Sequence, residues 1–421
     1  HELVMTIFIP GGWIATNIAT ACASLVGVYV FALIVRHVGL PNRGLLVVGF
    51  AFAPLLVINS IATMDYMWTL TALLLSYYLA LKQRPVLSGI AMGCAVGFRL
   101  QSVLLWPAIV YLLWREGRKR EIPAMSLAAG GAAMLCYAPV LVVYGLHFLN
   151  YYDASVAWQD VLRLLGKEAL GVVGALGLLI GLFLSRHRLR QLPHDLRHDV
   201  QAGVWVLVIV LYFISFSRLP HEIAYLIPVF PFGMLLMGRY FTRTALAISI
   251  IAILFAGAFD LTTPGDQLTL ASLKTARPGW GLLISNAETM QGQHEFIDHI
   301  MANDLPDHSV VLAGFIYPQL AVRERDKLHS QILQRDYGAI SMLTDRGESV
   351  DNAHDVRYVW LVTYDTFQAL VSQGYSFYLV PDAVGSTPAL YKYRPNLFGA
   401  TFLYLDRSGP STSNASAGTN R

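Results

Sequence analysis

The chain has 421 residues, 55% of them hydrophobic and only 14% charged, and its mean hydropathy of +0.51 lies outside the range of an ordinary soluble domain. With a formal net charge of only +3, composition excludes a soluble globular protein, leaves a polytopic membrane protein, and implies no nucleic-acid partner. Cys22, Cys94 and Cys136 stand apart inside apolar runs, a spacing that suits neither a metal site nor a disulfide framework.

The chain opens at His1 with no charged leader or cleavage site, so an upstream segment is expected. Apolar runs follow at Trp13–Val35, Leu45–Ser60, Tyr66–Leu81, Leu87–Phe98 and Val103–Trp114, and then at Pro123–Tyr144. Ala169–Leu184, Gly203–Phe216, Tyr225–Met237 and Ala245–Phe259 complete the series, which predicts ten crossings. Leu87–Trp114 also reads as one re-entrant unit broken at Arg99. Basic residues gather in alternate links: Arg36, Arg43, Lys82, Arg84, Arg115 and Arg118–Arg120, then Arg186–Arg197, Arg239 and Arg243. These links are expected to be cytoplasmic. His1–Gly12, Ile61–Asp65, Arg99–Ser102, Gly145–Glu168, Ser217–Glu222 and everything after Asp260 are then expected outside.

Beyond Phe259 the runs shorten and charge rises. Leu261–Gly292 reads as an irregular linker, broken by Pro264, Gly265, Pro278 and Gly279. Predicted strands lie at Ser309–Ile316, Tyr337–Leu343, Val356–Thr363, Ser376–Val380, Ala389–Tyr393 and Thr401–Leu405. With helices at Glu295–Asn303 and Tyr364–Gln373 they predict a small α/β domain over 261–406, after a multi-span domain over 1–260. The Ser-, Gly- and Asn-rich tail Arg407–Arg421 is expected to be disordered.

The expected outer links carry few ionisable groups, and those few are the site candidates. Asp65 lies between two apolar runs, where a carboxylate near hydrocarbon needs water, a partner or a substrate. Arg99, beside Gln101 and Ser102, offers a planar fork of donors suited to a phosphate, although a lone arginine there also snorkels toward head groups. Arg218, His221 and Glu222 share a tight link before Pro228, and their clustering favours phosphate recognition. Tyr152 and Asp153 form an aromatic and acidic pair fit for sugar or acceptor recognition, with an interfacial aromatic belt as the plainer account of Tyr152.

In order and sidedness these segments resemble the GT-C superfamily of membrane glycosyltransferases, in the branch of protein O-mannosyltransferases and lipid A aminoarabinose transferases. The resemblance rests on Pro54–Ser60 leading to Asp65, on Gly89–Gly97 running into Arg99, and on the basic residue followed by Tyr225–Pro228. It implies an inverting enzyme that transfers a sugar from a polyprenyl-phosphate donor to a glycan, lipid or protein acceptor on the outer face of the cell membrane. Asp65 and Glu2 would be its catalytic carboxylates, Glu2 as the remnant of a motif whose helix lies upstream of His1. The resemblance implies a lipid-linked donor rather than a bound cofactor, and leaves a divalent metal open. Two other classes remain: a transporter or flippase, which needs broken or charged helices at mid-membrane and related halves, and a non-catalytic membrane scaffold.

Overall fold

The computed structural model describes residues 7–8, 12–62, 64–144, 164–218, 223–262, 276–288, 290–291, 309–312, 356–359, 372–374, 376–379, 402–406 and 409–411. The chain divides into two compact units, one of 1–139 with 153–284 and one of 140–152 with 285–421.

The first unit is helical. Helix α1 (Gly12–Val38) is apolar for most of its length and carries Arg36 and His37 in its last turn, where cations suit the negative end of the helix dipole. Its interior Thr20 and Ser24 hydroxyls donate to the carbonyls one turn back, at 3.0 and 2.8 Å, so the helix satisfies its own polar groups. Helices α2 (Arg43–Ala51) and α3 (Pro54–Ser60) are bent by 54° where the sequence suggested one crossing over Leu45–Ser60. The cause is local: Pro54 has no amide hydrogen to continue a helix and fits instead at the first turn of a new one.

Helices α4 (Tyr66–Leu81) and α5 (Pro85–Phe98) form a close hairpin around the turn at Lys82–Arg84, in which Gln83 is left-handed with φ 57. Beyond α5 come a 3-10 turn (Leu100–Leu105), α6 (Trp106–Arg115) and α7 (Ile122–Tyr144). Helix α5 meets α7 through glycine: a Cβ on Gly89 would stand 2.2 Å from the Met125 carbonyl oxygen, and one on Gly93 2.5 Å from that of Ala129. Small residues permit backbone contact of this kind between apolar helices. Tyr137 fastens the same pair by donating to the Val96 carbonyl at 2.9 Å.

A π-helical turn (Leu164–Ala169) precedes α8 (Val172–Leu184), the short α9 (Arg186–Leu189) and α10 (Leu192–His198), then α11 (Val200–Arg218). After a 3-10 turn (Ile223–Leu226) come α12 (Val229–Tyr240) and α13 (Arg243–Ala258). Helices α8 and α13 pack side by side: the Ser249 hydroxyl donates to the Gly177 carbonyl at 3.1 Å, and a Cβ on Gly177 would meet that of Ala252 at 2.1 Å. At one end the buried Asp260 carboxylate accepts from the Val172 and Val173 amides, both at 2.9 Å, capping α8 just after the left-handed Gly171.

Among the described residues three helices are long and apolar enough to cross a bilayer, Ile14–Val38, Lys119–Val142 and Val200–Ser217, and up to five crossings result if each bent pair counts as one. The series of ten is therefore not reproduced. Helix α4, with 16 residues, is about 24 Å long, against a hydrocarbon core of about 30 Å. The shorter apolar helices Tyr66–Leu81, Pro85–Phe98, Leu100–Arg115 and Arg243–Ala258 fall below the length of a full span. The core is apolar and aromatic, with Trp205, Tyr77, Tyr212, Phe31 and Phe50 among its largest fully buried side chains.

Strands β1 (Phe259–Thr262) and β2 (Arg277–Trp280) pair antiparallel, Phe259 opposite Trp280, in the region expected to be an irregular linker. In the second unit β3 (Ser309–Leu312), β4 (Val356–Val359), β5 (Ser376–Leu379), β6 (Phe402–Asp406) and β7 (Gly409–Ser411) form a sheet in the order β4-β3-β5-β6-β7. Its first four strands are parallel and β7 is antiparallel to β6. Strand β7 corrects the expectation of a wholly disordered tail: β6 presents backbone groups that Gly409–Ser411 can pair with, whatever its composition. The elements expected at Glu295–Asn303, Tyr337–Leu343 and Ala389–Tyr393 lie outside the described residues.

Candidate functional site

Asp65 and Arg99 stand at the same end of the α4–α5 hairpin, because one is the N-cap of α4 and the other the C-cap of α5. Asp65 makes no capping side-chain hydrogen bond to α4. Its Oδ2 instead accepts from Arg99 Nε at 2.9 Å, in a pair whose side chains are only 20% and 22% exposed. Arg99 has extended backbone, φ −146 and ψ 122, which turns the chain out of α5, and its guanidinium lies against two aromatic rings. Its central carbon lies 3.7 Å from the centroid of Tyr66 and 4.8 Å from that of Tyr225. A cation held against ring faces in this way is attracted by their quadrupoles.

Burial pushes the Asp65 carboxyl above its ordinary range while the guanidinium pulls it back. Burial also opposes the Arg99 charge, but Asp65, Tyr66 and Tyr225 together outweigh it, so Arg99 remains a cation.

Beside this pair is a small cavity, lined among others by Tyr66, Thr69, Arg99, Ser102, Tyr212 and Tyr225. Its free space is about 10 Å³, roughly the room of one water molecule. Three hydroxyls on its wall, Thr69 Oγ1, Ser102 Oγ and Tyr212 Oη, have no hydrogen-bond partner among the described residues. Gln101 also lines the cavity, but its amide is engaged, donating to Ser215 Oγ at 3.0 Å.

The structure thus brings Asp65, Arg99, Gln101 and Ser102 together. Arg218 is the last residue of α11, and its side chain is outside the description. Glu2, Tyr152, Asp153, His221 and Glu222 lie outside the described residues. Sequence reasoning missed Tyr66, Thr69, Tyr212 and Tyr225, which sit inside apolar runs or beside them; polar atoms within a span were the available signal for Thr69 and Tyr212. Among the described residues no three His, Cys, Asp or Glu side chains gather as a metal ion would require.

The family described as GPI transamidase subunit PIG-U matches residues 12–168. The match covers α1 through α7 and contains both Asp65 and Arg99. Neither a curated protein nor a solved structure matches the chain. The family match overturns the GT-C resemblance, and with it the expectation of an enzyme that moves a sugar from a polyprenyl-phosphate donor. Asp65 and Arg99, named as a base or acceptor-orienting carboxylate and as a phosphate clamp, are found paired with each other.

Proposed function

We propose that the chain is a non-catalytic, membrane-embedded subunit of a larger assembly; the family that its residues 12–168 match is described as a GPI transamidase subunit. The observation that carries this reading is the closure of the Asp65–Arg99 centre. A general base needs room for the group that it deprotonates and a lone pair aimed at it. Here Oδ2 faces Arg99, the cation lies against two rings, and the adjoining space is one water in size. In this reading Asp65 orients Arg99 and together they lock the end of the α4–α5 hairpin. That end must hold its shape for neighbouring subunits to dock on the helical unit.

The test is made in the cells that produce the protein. A tagged chain extracted in mild detergent is expected to migrate with the other transamidase subunits, and its depletion to lower the attachment of GPI to a reporter protein. A chain that migrates alone, with attachment unchanged on its depletion, overturns the proposal.

A further inference from the structure

We infer that the cavity beside Arg99 is a binding site for one phosphoryl oxygen of a membrane lipid's phosphate group. Thr69, Ser102 and Tyr212 come from three separate elements, α4, the 3-10 turn and α11, and are 2%, 1% and 1% exposed. Buried hydroxyls without partners are few in folded proteins, since each forfeits its hydration. Three of them belong to residues that line this one cavity, and Arg99 lines it too. Hydroxyl donors beside a guanidinium form an acceptor-seeking set, and its strongest acceptor is an oxyanion.

Size and surroundings narrow the ligand. About 10 Å³ admits one oxygen atom, not a sugar or a whole phosphate, so the rest of the molecule lies outside the cavity. Near Asp65 and Arg99 in the chain stand apolar, exposed side chains, Met64 at 41%, Leu100 at 48% and Val103 at 48%. Such surroundings suit a phosphate carrying acyl chains better than inorganic phosphate, although both offer the same oxygen. The inference is independent of the chain's membership in an assembly, since it concerns only this cavity.

Binding is read from the thermal unfolding midpoint of the purified full chain in detergent, with short-chain phosphatidic acid, the matching diacylglycerol, or inorganic phosphate added. Phosphatidic acid is expected to raise the midpoint, and the other two to leave it unchanged. Tyr212→Phe and Ser102→Ala each remove one hydroxyl and little volume. Both are expected to fold with an unchanged or higher midpoint in the absence of lipid, and to weaken phosphatidic acid binding about tenfold. An equal shift with diacylglycerol would mean that only the chains bind, and one with inorganic phosphate that the site takes a free anion; either overturns the lipid-phosphate site. Unaltered phosphatidic acid binding by both variants overturns it too, as the cavity would then hold water alone. None of these outcomes bears on co-migration with transamidase subunits, so the two proposals fail separately.

Discussion

The two ends of the α4–α5 hairpin are built from similar residues and put them to opposite use. At the end near Lys82, Ser76 and Ser88 each donate to the other's carbonyl at 2.9 Å, and Trp205 Nε1 donates to Tyr77 Oη at 2.8 Å while Tyr77 in turn donates to Gln201. At the other end Thr69, Ser102 and Tyr212, equally buried, have no hydroxyl partner among the described residues and line one cavity with a cation. A saturated network holds helices together, whereas an unsaturated one beside a charge is prepared for something else to complete it. Burial and residue type therefore do not distinguish glue from a receptive site; the partner count does.

Five variants, one of them double, test that contrast. The largest effect is expected at the ion pair: Arg99→Ala leaves a largely buried carboxylate unpaired and should lower stability by about 3 kcal/mol. The double variant Asp65→Ala with Arg99→Ala should recover part of that loss, measured as a coupling in thermal unfolding. Between the two ends, Gly93→Leu on α5 forces a side chain toward the Ala129 backbone and should cost roughly 1–3 kcal/mol. The hairpin's ends are then compared by one chemical change. Tyr77→Phe strands Trp205 and Gln201 and is expected to cost about 1–2 kcal/mol, while Tyr212→Phe removes an unpartnered hydroxyl and should be neutral or slightly stabilising in lipid-free detergent. Equal costs at Tyr77 and Tyr212 would erase the distinction between the ends.

Much of the membrane unit was legible in the sequence, because apolar runs and their charged links follow directly from the bilayer's exclusion of polar groups. The approach of Asp65 to Arg99 was legible only in part. Their place at links was visible, but their contact depends on α4 and α5 ending level, which composition does not record. A carboxylate and an arginine named before their partners are known look like a base and a separate phosphate clamp; the family match removes the sugar transfer they were to serve, and the structure pairs them with each other. Thr69 and Tyr212 were counted into apolar runs, where a hydroxyl hardly lowers mean hydropathy. Pro54 signalled the bend between α2 and α3, yet the run Leu45–Ser60 kept its hydropathy across it. Gly409–Ser411 pairs through backbone atoms, to which composition is blind.

Helices α8 and α13 are clasped at one end by the Asp260 carboxylate and seated along their length on Gly177. Two rods pinned at more than one level resist sliding and swivelling, so they displace as a single bar. A load applied to the β1–β2 ribbon, which continues directly from α13, would reach α8 undiminished rather than dissipate in the link between them.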